Sequence, residues 1–193
     1  MQKGTLLVVS GPAGVGKGTI IKEIMKDNKN IKMSISATTR KPREGDCEGV
    51  TYYFKTKEEF TEMIGNDQFL EWAVYSDNYY GTPKKPVLEA LENGNDVILE
   101  IEVQGALQVR AHHPEGVFVF VMPPSIEELE RRITDRGTES SEEIEKRMTT
   151  AKKEFEFLNK YNYIIVNEDI KTASDDLAAI LRTSKITKEC YFN

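Results

Sequence analysis

The stretch "SGPAGVGKGT", residues 10–19, stands between the apolar run "TLLVV" (5–9) and "IIKEIM" (20–25). Five apolar residues before a glycine turn predict a short buried strand. Ile20, Ile21, Ile24 and Met25 recur at helical spacing, so a helix with one apolar side follows the turn. Gly11, four residues, then Gly16 and Lys17 is the spacing of a phosphate cradle. Glycines allow the tight turn and close backbone approach, loop N–H groups and the helix N-terminus face the anion, and lysine adds a point charge. An ordinary glycine-rich turn with a surface lysine is the competing reading. It is disfavoured because strand and helix stand where the cradle needs them. Gly18 departs from the usual pattern, which has a hydroxyl there; the first hydroxyl is on Thr19.

Working outward, 193 residues suit one compact domain with room for insertions. Hydrophobic residues are 39% and charged ones 30%, ordinary for a globular chain. No apolar run approaches the roughly 20 residues that cross a bilayer, and the first residues lack a secretory apolar core and cleavage site. Cys47 and Cys190 are too few for a disulfide framework or zinc site. The expectation is a cytoplasmic protein without a membrane partner. With 26 Lys+Arg against 32 Asp+Glu, the net charge of −6 argues against broad nucleic-acid binding. A cleft on an acidic protein can still attract an anionic small molecule.

Runs at 116–122 ("GVFVFVM") and 163–167 ("YIIVN") are short and continuously apolar, as parallel strands covered on both faces are. "DVILEIEV" (96–103) alternates, which predicts a strand with Glu100 and Glu102 on one face. Helical stretches between these runs give a doubly wound, mainly parallel α/β sheet. Two segments interrupt it. Residues 36–84 carry strand-like pieces ("VTYYF", "FLEWAVY", "NYYGT") and a short helix, with Thr56 and Glu59 at capping-box spacing and Gly65-Asn66 at its stop. This predicts a small inserted α+β subdomain. Residues 125–157 predict a helix–loop–helix: Ser125 with Glu128 and Ser140 with Glu143 have capping spacing, around the break "DRGTE". The remainder, 1–35, 85–124 and 158–193, is the core of a single domain.

The ordered set "SATTRKPREGDCEGVTYYF", "FLEWAVYSDNYYGTP" and "ILEIEVQGA", with the "GKGT" ending of the cradle, resembles the guanylate kinase family over about residues 4–181. That resemblance implies an ATP-dependent nucleoside monophosphate kinase acting on GMP, and on dGMP, within purine nucleotide metabolism. It makes the inserted segment a GMP-binding subdomain and 125–157 a lid. It implies that Gly11, Pro12, Ala13, Gly14, Val15, Gly16, Lys17, Gly18 and Thr19 bind ATP, with Asn167 near its adenine. Arg40, Arg43, Tyr52 and Tyr80 are implied to hold the GMP phosphate, and two guanidinium forks around Pro42 suit a dianion. Glu71, with Ser36 and Thr82 hydroxyls nearby, is implied to read guanine, whose N1–H and amino group one carboxylate can accept together. Glu102 is implied to reach the base too, although relatives often carry Asp there. The cofactor implied is Mg²⁺ arriving as Mg·ATP, with no direct protein ligand and Glu100 reaching it through water.

Arg132 and Arg136, four apart on one face of the first lid helix, and Arg147 of the second are implied to act in catalysis together with Lys17 and Arg43, because phosphoryl transfer is mainly positioning and charge neutralisation. Arg131 is read as surface, Lys84 and Lys85 as exposed, and Trp72 as core. His112 and His113 are adjacent and cannot share a helix face as metal ligands do. Two other readings stay open: a non-catalytic guanylate-kinase-like module that binds protein partners, and a kinase for another monophosphate. The intact Gly16-Lys17 pair disfavours the first and Glu71 the second.

Overall fold

A computed structural model describes residues 3–75, 77–135 and 140–186. The strand predicted before the glycine turn is β1 (Leu6–Ser10), and the helix after it is α1 (Lys17–Asp27). With β2 (Ile31–Met33), β7 (Asp96–Glu100), β8 (Val117–Met122) and β9 (Tyr163–Val166), β1 forms a five-stranded sheet in the order β2-β7-β1-β8-β9. Every neighbouring pair in it is parallel. Side chains of β1 alternate between two cores. Leu7 and Val9 pack with Ile20, Ile21 and Ile24 of α1 and Leu177 of α7 (Ile170–Ser184). Leu6 and Val8 pack with Val87 of α3 (Lys84–Glu92) and Ala106 and Val109 of α4 (Val103–His112). All five residues of β1 are buried, and each buried aliphatic side chain contributes about 1.5–3 kcal/mol. The middle of the sheet is thus covered on both faces, as an open α/β architecture requires.

Between β2 and α3 the chain builds a second sheet, in the order β4-β3-β6-β5. Its strands are β3 (Ala37–Thr38), β4 (Tyr53–Phe54), β5 (Phe69–Tyr75) and β6 (Asn78–Pro83), with α2 (Lys57–Gly65) packed on it through Phe60. Both halves of the Thr56 and Glu59 capping box form. Beyond β8 come α5 (Ile126–Thr134) and α6 (Ser141–Phe155). Leu129, Ile133, Met148 and Ala151 share one core cluster with Val15 of the glycine loop, which ties the base of this segment to the loop.

The structure corrects several expectations. The strand predicted through residue 103 ends at Glu100, and Glu102 is the N-cap of α4. Val103, Ala106 and Val109 bury one helix stripe against the core, and that packing overrides the period-two pattern. Glu100 and Glu102 therefore share no strand face. β9 is not covered on both faces: it is an edge strand with Tyr163, Ile164 and Val166 exposed. Trp72 is 37% exposed rather than core. Lys84 is not free on the surface but pairs with Asp67 at 2.6 Å. Ser125 caps α5 through Glu128 N–H, yet the box stays half-made because the Glu128 carboxylate holds Arg131 and Arg132.

Candidate active site

In open α/β sheets ligands bind beyond the carboxyl ends of the strands. Here those ends carry Ser10 and the glycine loop, Glu100 and Glu102, and Asn167 after β9. Residues 11–16 arch over this edge. Gly16 caps α1 in the left-handed region (φ 97°), with no side-chain cap on the first-turn N–H groups. A Cβ on Gly11 would press on the Val121 carbonyl, so only glycine lets the loop lie this close to β8. Val15 N–H closes a turn on Pro12 O at 3.3 Å. Pro12 and Val15 are buried, and Ala13 and Thr19 are exposed. The Lys17 ammonium lies across the loop, donating to Gly11 O at 2.6 Å and Pro12 O at 3.0 Å. Gly18 faces β7: a Cβ there would stand 3.4 Å from Glu100 Oε2. That is ordinary van der Waals contact, so the Glu100 carboxylate borders position 18 without excluding a small side chain there.

Asn167 is 2% exposed and lies beneath the loop. Its Nδ2 donates to Val15 O at 2.7 Å, while its buried Oδ1 has no partner among the described residues. Arg132 donates to the Asn167 carbonyl at 3.1 Å and to Glu128 at 2.7 Å. One residue, through its side-chain amide and its backbone carbonyl, therefore joins the end of β9 to the loop and to α5. Two bonded arginines hold Glu128 far below the usual carboxylate range, at about 2. Arg147 projects from α6, partly buried, and Arg136 lies outside the described residues.

The second sheet gathers a separate polar cluster. The Arg40 guanidinium sits 5.2 Å from the Tyr52 ring centre, and Tyr52 meets Tyr80 edge-on at 6.2 Å. Asp46 Oδ2 accepts from both the Arg40 guanidinium and the Arg43 backbone N–H, each at 2.8 Å. That loop leaves the Arg43 side chain exposed. Asp46 escaped the sequence reading; its signal is a carboxylate three residues beyond Arg43, just after Gly45.

Glu71 of β5 is 7% exposed and accepts from Thr82 Oγ1 of β6 at 2.6 Å. Strand pairing sets this contact, because Glu71 lies opposite Thr82 in register. Burial raises the Glu71 carboxyl above its usual range, Thr82 hydrogen bonds oppose the shift, and Glu102 adds to it. Ser36 is half-buried beside β3, its carbonyl accepting Tyr53 N–H at 2.9 Å. Glu102 is exposed at the α4 N-terminus and influences both Glu71 and Glu154 of α6. Burial lifts Glu154 to about 7, against the pull of Lys17 and with a push from Glu102. Glu154 also escaped the sequence reading, because nothing within α6 shows that it faces the loop lysine. Among the described residues no three His, Cys, Asp or Glu side chains converge as a metal cage, and no helix is long and apolar enough to cross a membrane.

A glycine loop bridging strand and helix at the carboxyl edge of a parallel sheet defines a phosphate-loop nucleotide-binding protein. The buried Glu71 carboxylate and the arginine–tyrosine cluster add polar groups on an inserted sheet. The family model described as guanylate kinase matches residues 3–184, and the chain belongs to the guanylate kinase family. It is 54% identical over 193 residues to a guanylate kinase of Clostridioides difficile, covering all of this chain and 94% of that one. It is 56% identical over 186 residues to one from Carboxydothermus hydrogenoformans, covering 96% and 91%. A crystal structure of guanylate kinase from Anaplasma phagocytophilum aligns with a TM-score of 0.77 at 34% identity, covering 97% of this chain and 89% of that one.

Proposed function

We infer that the protein transfers the γ-phosphoryl group of ATP to GMP, giving ADP and GDP, as a cytoplasmic enzyme. The observation that carries this is the intact glycine loop, with Lys17 held over it, on a chain that also buries Glu71. In this reading the loop amides and the first turn of α1 bind the ATP phosphates. Lys17 exchanges its two carbonyl partners for phosphate oxygens. Asn167 acts from below, bracing the loop through Val15, and stands near the adenine as the family resemblance implies. Arg40, Arg43, Tyr52 and Tyr80 clamp the acceptor phosphate, with Asp46 fixing the arginine loop. Glu71 takes the guanine N1–H and amino donors while Thr82 holds its other oxygen, and dGMP offers the same contacts. Adenine lacks the N1–H, so an AMP complex would leave a buried acceptor unpaired.

Arg132 and Arg147, with Arg136, neutralise charge as the phosphoryl group passes. Mg²⁺ fits a donor set of hard oxygens, the nucleotide phosphates and, through water, the Glu100 carboxylate beside Gly18. When bound it would neutralise charge on the nucleotide phosphates. The acceptor phosphate is already largely ionised near neutral pH, so no strong general base is needed. A coupled assay of ADP formation tests the reading. ADP should form with Mg·ATP and GMP and not with AMP. No ADP with GMP would favour a non-catalytic binding module.

A further inference from the structure

Gly105 stands in the first turn of α4, a place where glycine is among the least favourable residues. Its backbone does not call for glycine, since its φ is not among the positive ones. The reason lies across the interface. A Cβ on Gly105 would come within 2.6 Å of Glu71 Oε2, 3.1 Å of its Cδ and 3.4 Å of its Cγ. The carboxylate thus occupies the volume that any other residue at 105 would fill.

The helix cannot back away to relieve such a contact. One turn on, Gln108 Oε1 accepts from Trp72 N–H at 3.1 Å, and its Nε2 donates to Trp72 O at 2.9 Å. This side-chain amide pairs with the strand residue next to Glu71 as a further strand would. Ala106 and Val109, on the buried side of α4, pack in the same cluster as Leu70. Residues 70 and 72, flanking Glu71, are therefore both held to α4, and Thr82 fixes the other carboxylate oxygen.

We propose that Gly105 is a positioning residue for guanine recognition: its missing side chain is the niche that aims the Glu71 carboxylate, with Gln108 fixing the distance between helix and strand. The inference rests on Glu71 reading the base and adds the residue that sets its geometry. A side chain at 105 would turn the carboxylate out of line with the two guanine donors while leaving the ATP loop untouched.

The test is a cycle of Gly105→Ala and Glu71→Asp, read by KM for GMP and for ATP. Gly105→Ala should raise the GMP KM about ten- to hundredfold, as a displacement near 1 Å does at a positioned group, with the ATP KM unchanged. In the Glu71→Asp background, where the carboxylate is one methylene shorter, Gly105→Ala should add little, and this non-additivity separates positioning from a general structural effect. Equal factors in both backgrounds would overturn the proposal. Should Gly105→Ala not fold, adding Glu71→Ala must restore folding, and failure to do so overturns it too. A GMP KM unmoved by Glu71→Gln would remove the base-reading assignment together with this inference. A KM raised by Glu71→Gln but unmoved by Gly105→Ala would remove this inference alone.

Discussion

Glu71→Gln should push activity and stability in opposite directions. In the parent, Thr82 occupies part of one carboxylate oxygen, and in the proposed reading the other accepts the two guanine donors. A glutamine keeps its carbonyl for Thr82 and turns an NH₂ group towards the guanine N1–H and amino group. Two charge-assisted hydrogen bonds of about 1.5–3 kcal/mol each are lost, which corresponds to a rise in GMP KM of about 10²–10⁴-fold. Stability follows the pKa. Burial raises the Glu71 carboxyl above the 4.5 of an exposed glutamic acid. A raised carboxyl contributes stability below the unfolded value and loses it as pH rises through the folded one. The neutral glutamine escapes that loss, so the variant should melt above the parent at about pH 8 and converge with it in acid. GMP affinity of the parent should rise with pH through the same raised value, because only the ionised form accepts both donors. Steady-state kinetics with GMP varied and thermal melts across pH measure all of this. A variant with unchanged GMP KM, or one that melts below the parent at neutral pH, would refute the reasoning.

Lys17→Ala should cut kcat about 10²–10³-fold, the usual cost of removing a group aimed at transition-state charge, and parental turnover would exclude the assigned role. Arg40→Lys keeps the charge but loses the fork that bonds Asp46 and that the proposed function assigns to the acceptor phosphate. GMP KM should rise about tenfold with ATP KM unmoved, as expected where bidentate geometry matters. Asn167→Ala orphans the buried Val15 carbonyl, costing about 1–3 kcal/mol in melts or denaturant titrations, together with a weaker ATP KM. Glu154, lifted to about 7, stays protonated in the fold while the unfolded chain ionises, so its contribution is lost between about pH 4.5 and 7. Glu154→Gln should match the parent in acid and exceed it above neutrality by no more than about 1–2 kcal/mol, given its partial solvent screening, in pH-resolved denaturation.

The features legible in the sequence are those whose cause is short-range. The glycine loop could be read because strand, turn and helix are contiguous, and Gly11, Gly14 and Gly16 take positive φ angles that favour glycine. The capping pairs Thr56 with Glu59 and Ser140 with Glu143 could be read because their partners lie three residues apart. Resemblance then carried the arginines, tyrosines and Glu71 as a set. Tertiary packing decided the rest. It ended β7 at Glu100 and turned Glu102 into a helix cap, because core contacts spaced along α4 outweigh an alternating pattern. It buried Asn167 under a loop 152 residues away. It left β9 at the sheet's edge and set Gly105 against Glu71. Such contacts join residues far apart in the chain, and no local period encodes which distant side chain will fill the space beside a glycine.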